Sequence, residues 1–330
     1  MDEYYRNRYE EDYEQSPGLS ARAGNRILCI TTVVMIGVQY LMVFLGVYDT
    51  LPLVLGTQLS VLLIPIIGAV ISGADIKETF RIRRVRPKTV LFAFLVILCS
   101  YPIVALLNLI SMFFVENAVA GTAVDLYSHG FIVSMLVMAL CPAIGEEFLM
   151  RGVIYRSYRK KSPVLALVLS AVIFGLLHMN FNQMPYAIYL GVIMVLMMEA
   201  SDSIVTPMLM HFFMNGISTL SGYFSEDTLE DMSEAAYNAE TVLGTGDEMR
   251  FALMSVGILA IIMVPLVILI IKATFRVNGR RLSDAFAKDE PVYSRYALPE
   301  VNDEENILDA WLVIAIVVMV IIIAMNTFMS

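Results

Sequence analysis

Cysteine is scarce in this 330-residue chain, and its few copies are not closely spaced. Cys29, Cys99 and Cys141 lie in apolar runs, and no CxxC motif occurs. A disulfide framework or a thiolate metal site needs paired cysteines, so neither is predicted. The chain also lacks HExxH, the motif that places two zinc-binding histidines on one helix face. No internal repeat is evident, which argues against a transporter built from inverted repeats.

Charged residues are also scarce, at 16% of the chain, whereas 58% of the residues are hydrophobic. Soluble domains are rarely more than about half apolar, so this composition predicts contact with lipid. Nine nearly uncharged runs approach or reach the roughly 18 residues that a spanning helix needs. They are 27–48, 51–72, 89–115, 130–150, 163–179, 184–200, 204–220, 251–273 and 309–328. Because the fifth to seventh are short, we predict an all-α integral membrane protein with eight or nine transmembrane helices around an intramembrane polar cavity.

The basic residues are distributed unevenly between the two ends of these spans. When nine spans are drawn, the 22 lysines and arginines, with the exception of Arg250, fall on one side. The opposite connections are acidic, above all SEDTLEDMSEAAYNAE. The positive-inside rule therefore predicts a cytoplasmic N-terminus. The expected location is a bacterial cell membrane, with the chain as a multi-pass protein. The first apolar run is too long for a signal peptide, and none is predicted.

The stretch EEFLMR places Glu146, Glu147 and Arg151 inside an otherwise apolar segment. A charge at the bilayer centre costs about 2.5–3.5 kcal/mol, so such residues usually face protein or water and indicate function. Glu147 and Arg151 are four residues apart and share a helix face, which predicts an ion pair. Glu146 points about 100° away and has no such local partner, so it is the carboxylate predicted to move protons.

Two of the three histidines can work with Glu146. Folding the chain about the turn at 161–162 brings Glu146 level with His178, about 22 Å from the turn if both helices are regular. A buried carboxylate near an imidazole suits general-base activation of water. His211 and Asn215 share a helix face, and such donors suit the stabilisation of an oxyanion. Counting from the next turn places His211 at a different depth, which leaves its distance from Glu146 open.

Structural roles compete for the same kinds of residue. A Glu–Arg pair can lock packing, a single histidine can be a hydrogen-bonded core residue, and an asparagine can join helices. His129 is predicted to lie at the membrane interface, and Glu199 and Asp202 are predicted to be solvated charges beside a cytoplasmic turn. A shared site is favoured because several polar elements coincide on three successive segments.

The three motifs also occur together in a known family. EEFLMR, FGLLH and HFFMN have the order and form of EExxxR, FxxxH and HxxxN. Over roughly residues 130–220 the chain therefore resembles the CAAX-processing and bacteriocin-processing (CPBP, or Abi) intramembrane proteases. The resemblance implies an endopeptidase whose active site opens inside the membrane, toward the cytoplasm in the members that process prenylated proteins.

Carried over by position, the resemblance implies a role for each motif residue. It assigns catalysis to Glu146, His178, His211 and Asn215. It assigns support of the site to Glu147, Arg151 and Phe174. The first two catalytic residues would activate water, and the last two would stabilise the oxyanion.

Metal dependence has two alternatives. The family is commonly labelled a metalloprotease family, and His178, His211 and Glu146 could hold zinc with water as the fourth ligand. A glutamate-activated water without a metal would explain Asn215 at least as well. The sequence leaves both open.

The predicted function is hydrolysis of a peptide bond in a membrane-associated substrate, either a lipidated CAAX-type C-terminus or a small peptide precursor. A non-catalytic membrane scaffold or immunity protein of the same fold is the main alternative, and a proton-coupled transporter is a third. Membrane lipids and the peptide or lipidated protein are the expected partners, and no nucleic acid is expected to bind.

The predicted organisation has two parts. Residues 1–26 form a cytoplasmic tail, and residues 27–328 form a transmembrane helical domain. Within that domain we predict a catalytic core at 130–220, an extracytoplasmic acidic loop at 221–250 and a cytoplasmic linker at 275–308.

Overall fold

The protein is entirely helical over residues 19–224, 246–287 and 306–328, which are those that the computed structural model describes. The helices are α1 (Ala21–Phe44), α2 (Thr50–Ile71), α3 (Pro87–Ser111), α4 (Ala118–Tyr127), α5 (Phe131–Arg159), α6 (Pro163–Leu177), α7 (Met184–Ser201), α8 (Val205–Phe224), α9 (Asp247–Val277) and α10 (Ala310–Phe328). A helical turn, Ile76–Phe80, precedes α3. The predicted all-α class is confirmed. Most of the predicted tail, acidic loop and linker lies outside the described residues.

Seven helices are long and apolar enough to cross a membrane: α1, α2, α3, α5, α7, α9 and α10. Many of their large apolar side chains face outward, such as Leu41, Ile67 and Leu269, which are each more than half exposed. Such continuous apolar surface needs lipid around it. The chain is therefore an integral membrane protein. Helices α6 and α8 lie where the fifth and seventh spans were predicted, and that they also cross stays a prediction.

Helices α5 and α7 form the centre of the bundle. In their most apolar windows 44% and 56% of the residues are buried, against 17–33% in the other five spans. Helix α5 packs against α2 on one side and α8 on the other. It contributes to a core shared with α1, α2, α6 and α10, while α3, α7, α8 and α9 build a second core. The contact of α5 with α8 therefore joins the two halves of the protein.

Helix α5 is not a regular α-helix. Two π-helical segments, Met135–Leu140 and Phe148–Tyr155, flank one α-helical segment, Cys141–Glu147. The condition used in estimating the depth of Glu146, a regular rise along α5, is therefore met only in part, although the helix is continuous. A π-helical turn is wider than an α-helical one and frequently lies at a functional site. Here the two glutamates of EEFLMR sit at the end of the α-helical segment, next to the second π segment.

A glycine on α7 lets α6 and α7 approach each other closely near Arg151 of α5. A Cβ added to Gly191 would lie 2.9 Å from the Cα of Ala171, so a larger residue would push the two backbones apart. Small residues have this role at many membrane helix contacts. The close approach also brings the Gly191 carbonyl oxygen within 3.4 Å of the Arg151 guanidinium.

A buried ion network holds one end of the bundle together. We call this the basic end; it comprises residues 72–86, 156–162, 201–205 and 276–287. Glu199 has no exposed surface and lies at the centre, 2.9 Å from Arg81 and 3.0 Å from Arg159. Arg280 lies 3.8 Å from Glu199 and 3.3 Å from Asp202. The prediction that Glu199 is a solvated charge was wrong, because tertiary packing surrounds it with arginines from three other segments.

We expect Glu199→Gln to destabilise the protein by about 3–5 kcal/mol, because it leaves buried arginines without their counter-ion. Thermal unfolding in detergent, followed by the helical circular dichroism signal, measures the effect. Asp247→Asn is the matched control, since the Arg250–Asp247 pair is more than three-quarters exposed on both sides and should contribute under about 1 kcal/mol. Equal unfolding temperatures for the two variants would contradict the prediction.

Candidate active site

The predicted ion pair of EEFLMR is present, and it has a further member. The Arg151 guanidinium donates to Oε1 of Glu147 over 2.9 Å, and both side chains are almost completely buried. The same Oε1 lies 2.9 Å from Nδ1 of His211. Because an ionised carboxylate oxygen only accepts, His211 donates through Nδ1. Glu147 therefore fixes the orientation of the imidazole on α8 as well as that of the arginine on α5.

Phe174 supports three of these groups with one ring. The Arg151 guanidinium carbon lies 4.5 Å from the centre of the Phe174 ring, a cation–π arrangement. The ring meets the imidazoles of His178 and His211 edge to face, with centroids 5.0 and 6.0 Å apart. Phe174 therefore spaces the two imidazoles from each other and from the arginine.

Glu146 faces a different environment from Glu147. Its Oε2 is buried and accepts no hydrogen bond from the residues that the structure describes. The nearest imidazole nitrogen is Nε2 of His211, at 4.0 Å. This separation is too long for a hydrogen bond, so the carboxylate is held near His211 and remains free to accept a proton.

His178 is oriented by its own helix. It caps the C-terminus of α6, and its Nδ1 lies 2.8 Å from the carbonyl oxygen of Phe174. A carbonyl oxygen only accepts, so Nδ1 carries the hydrogen and Nε2 is the acceptor of the neutral ring. The next residue, Met179, has the left-handed φ of 52° that often ends a helix.

Asn215 lies one turn beyond His211 on α8. Its side-chain amide donates to the carbonyl oxygen of Met138 over 3.0 Å. Met138 belongs to the first π segment of α5, so this bond ties α8 to α5 above the glutamates. An amide nitrogen has two hydrogens, and one therefore remains for another acceptor.

These side chains line one chamber of about 1040 Å³. Glu146, Phe174, His178, His211 and Asn215 are all part of its wall, whereas Glu147 and Arg151 lie behind it. A smaller cavity of about 60 Å³ is lined by Glu146 and His178, among others. Glu146 and His178 therefore share a cavity, as their predicted common depth required, although no hydrogen bond joins them within the described part of the chain.

The open question of depth is answered by the contacts of His211. Its two ring nitrogens face Glu147 and Glu146, so the imidazole reaches the level of both carboxylates. Counting residues from the preceding turn failed because the turn at Asp202 is packed into the basic end of the bundle. Asp202 has a left-handed φ of 55° and lies 3.3 Å from Arg81 and from Arg280.

Gln58 on α2 is a further residue of the site that was not predicted. Its side chain lines both cavities with Glu146 and His178, and its Oε1 is buried without a hydrogen-bond partner among the described residues. A search for charges and histidines misses an uncharged amide. The signal that could have found it is a glutamine in an otherwise apolar span.

The residues suggested for zinc do not form a ligand set. Among residues 19–224, 246–287 and 306–328, no three His, Cys, Asp or Glu side chains are arranged to hold a metal ion. The bonds of Nδ1 to Glu147 in His211 and to a backbone carbonyl in His178 orient the two rings and leave each Nε2 free. What disfavours zinc is therefore the lack of a third ligand in reach within the described residues. As arranged in this part of the chain, the site does not provide a ligand set for zinc.

Comparison with known proteins agrees with the motif analysis. Residues 128–217 match the family model of the type II CAAX prenyl endopeptidase Rce1-like proteins. No curated protein and no solved structure gives a match. The matched segment contains all seven motif residues and spans α5, α6, α7 and most of α8. The family resemblance predicted from the three motifs is therefore confirmed by an Rce1-like match over residues 128–217, about a quarter of the chain.

Proposed function

We propose that the protein is an intramembrane endopeptidase in which Glu146 activates the attacking water. At the level of the family, the Rce1-like segment implies a CAAX-type peptidase. The observation that carries the proposal is a carboxylate oxygen of Glu146 that has no hydrogen-bond partner among the described residues, lies 4.0 Å from His211 and shares one chamber with His178 and Asn215. Polar groups from three helices meet there at a depth where unpaired charge is costly.

In the proposed reaction, Glu146 takes a proton from a water molecule as the water oxygen attacks the scissile carbonyl carbon. The carbonyl π electrons move to oxygen and form a tetrahedral oxyanion. The carbon–nitrogen bond then breaks, and the proton held by Glu146 passes to the leaving amine. His178 assists through Nε2, which is a free acceptor in the neutral ring and can orient the water.

The oxyanion is assigned to His211 and Asn215. Asn215 has one amide hydrogen left after its bond to Met138. His211 adds a second donor, the Nε2–H of its imidazolium form, which takes its proton from solvent before the reaction and is held through Nδ1 by Glu147. Donors that are held in place before the reaction stabilise a developing charge without reorganisation, which is usually the largest contribution to catalysis. Gln58 is assigned to positioning of the substrate or water.

We expect Asn215→Ala to lower the rate of cleavage about 100- to 1,000-fold, because one oxyanion donor is lost. The assay uses purified protein in detergent and a mixture of apolar, fluorophore-labelled peptides, and it follows the release of the fluorophore on cleavage. Ser218→Ala is the matched control, since Ser218 lies on the same helix and lines the same chamber but donates to the Met214 carbonyl of its own helix. A scaffold would keep its biological effect in the Asn215 variant, and such a result would contradict the proposal.

Strong chelators should leave the rate of cleavage unchanged, because Glu146 and the histidines act on water directly. The measurement compares the purified protein before and after dialysis against 1,10-phenanthroline. Loss of activity that added zinc restores would overturn the metal-free assignment. Cleavage is measured by the same fluorophore-release assay, and the Ser218→Ala protein is dialysed and assayed in parallel.

A further inference from the structure

The chamber faces one end of the bundle. Hydrogen bonds between the connections at that end hold it together. The side chain of Thr50 donates to Asp125, which joins the start of α2 to α4. Asn182 donates to Ser111, which joins the α6–α7 connection to the end of α3. Asn326 near the end of α10 donates to the backbone of the same connection, over 3.0 Å. We call this the chamber end; it comprises residues 45–50, 112–130 and 178–183 with the ends of α8 and α10.

The chamber extends from the glutamate and histidines in the middle of the bundle toward this end. At its mouth lie Tyr40, Asn117, Thr122 and Asn180, which come from the end of α1, from α4 with its N-cap, and from the α6–α7 connection. Its wall contains no residue of the basic end, at 72–86, 156–162, 201–205 or 276–287. The chamber therefore opens away from the arginine network around Glu199.

The charges of the two ends differ in a way that fixes their sides of the membrane. Lysine and arginine are absent from residues 27–76, 89–150 and 162–249, which include the chamber-end connections. The basic end carries, among others, the loop sequences RIRR and RKK. Short loops rich in lysine and arginine remain in the cytoplasm. The basic end is therefore cytoplasmic, and the chamber end is extracytoplasmic.

The depth of the site agrees with an opening on the extracytoplasmic side. Helix α6 has 15 residues and is therefore about 22 Å long, while the hydrocarbon layer is about 30 Å thick. His178 caps the chamber end of α6, so it lies roughly 8 Å below the extracytoplasmic boundary if Pro163 lies at the cytoplasmic one. A substrate would reach it by a short path from outside and would have to cross most of the membrane from the cytoplasm.

The lining of the chamber indicates what can enter. Among the described residues of its wall, Glu146 is the only Asp, Glu, Lys or Arg, and most of the others have amide, hydroxyl, aromatic or apolar side chains. The amides Gln39, Asn108, Asn117 and Gln183 can pair with the backbone of an extended peptide, and the apolar wall suits uncharged side chains. A volume of about 1040 Å³ is at the upper limit of small-molecule pockets and accommodates several residues of chain.

We infer that the chamber opens to the extracytoplasmic face and receives a membrane-anchored peptide whose scissile bond lies at the extracytoplasmic end of an apolar anchor. This substrate class rests on the proposed endopeptidase activity. It selects the peptide precursor over the lipidated C-terminus of a cytoplasmic protein, because the latter would approach from the basic end.

Sidedness is tested first by labelling, which does not depend on activity. In a variant with Cys29, Cys99 and Cys141 replaced by alanine, Thr122→Cys places a thiol at the exposed chamber mouth, and Ser283→Cys places one at the exposed basic end. A membrane-impermeant maleimide should label Thr122→Cys in intact cells and Ser283→Cys only after permeabilisation. The reverse pattern would overturn the inference and leave the proposed activity standing.

Substrate class is tested with two reporter pools in cells. Each pool joins an epitope to a single apolar span through a randomised segment, at the extracytoplasmic end in one pool and at the cytoplasmic end in the other. We expect the wild type to cut members of the first pool only, and Glu146→Gln to cut neither. Cleavage confined to the cytoplasmic pool would overturn the inference, whereas cleavage of neither pool by the wild type would overturn the proposed activity and the substrate class with it.

Discussion

Glu146→Gln should reduce peptide cleavage by about 100- to 10,000-fold, the contribution of a general base. The amide has almost the same shape as the carboxyl group but cannot accept a proton. Stability should change little, because Oε2 of Glu146 has no hydrogen-bond partner in the described structure that the substitution would leave unpaired. Initial rates of fluorophore release and unfolding temperatures in detergent measure the two effects separately.

The control for this variant is Glu116→Gln, an exposed glutamate in the α3–α4 connection outside the chamber wall. It removes the same charge from the same end of the protein and should keep the wild-type rate. If Glu146→Gln and Glu116→Gln both cleaved the peptides at the wild-type rate, Glu146 could not be the base and the proposed mechanism would be wrong.

Glu147→Gln should destabilise the protein by about 3–5 kcal/mol and should also abolish cleavage. Arg151 is 1% exposed, and its charge would be left without a counter-ion in a low-dielectric interior. The imidazole of His211 would lose the carboxylate that accepts from its Nδ1. Thermal unfolding in detergent should therefore shift strongly downward, in contrast with Glu146→Gln.

A double variant separates the structural part of this effect from the chemical part. In Glu147→Gln with Arg151→Met, neither member of the Glu147–Arg151 pair is left as an uncompensated charge, so much of the lost stability should return. Cleavage should not return, since His211 still lacks its charged partner. A single Glu147→Gln variant with wild-type unfolding temperature would show that the buried pair does not stabilise the protein.

The membrane-spanning architecture was accessible from the sequence because it depends on local composition. Runs such as 251–273 and 309–328 have no way to bury their apolar side chains except in lipid or against other helices, and helices α9 and α10 lie there. The i, i+4 pair of Glu147 and Arg151 was predictable for the same reason, since both residues are on one segment. The order of the three motifs likewise indicated a family, which the match over 128–217 confirms.

Contacts between distant segments were not accessible in this way. The π-helical segments of α5 change the direction of its side chains without any clear signal in composition. The depth of His211, counted from the preceding turn at a constant rise per residue, was unreliable because that turn is packed into the basic end. Glu199 looked like a boundary charge because its arginine partners are 40 to 118 residues away in sequence. Gln58 carries no charge, and its place beside Glu146 and His178 depends on the packing of α2 against α5.

The sequence by itself determined that this chain spans a membrane as helices and which end of the bundle is basic. It also determined which polar residues are costly to place in lipid and are therefore expected to be functional. These follow from hydrophobicity and charge, which act locally and additively. Only the tertiary structure decided that His211 meets both glutamates, that Glu147 orients it, and that the chamber opens opposite the basic end. Those outcomes depend on the relative placement of separate helices, which is set by side-chain packing across the bundle.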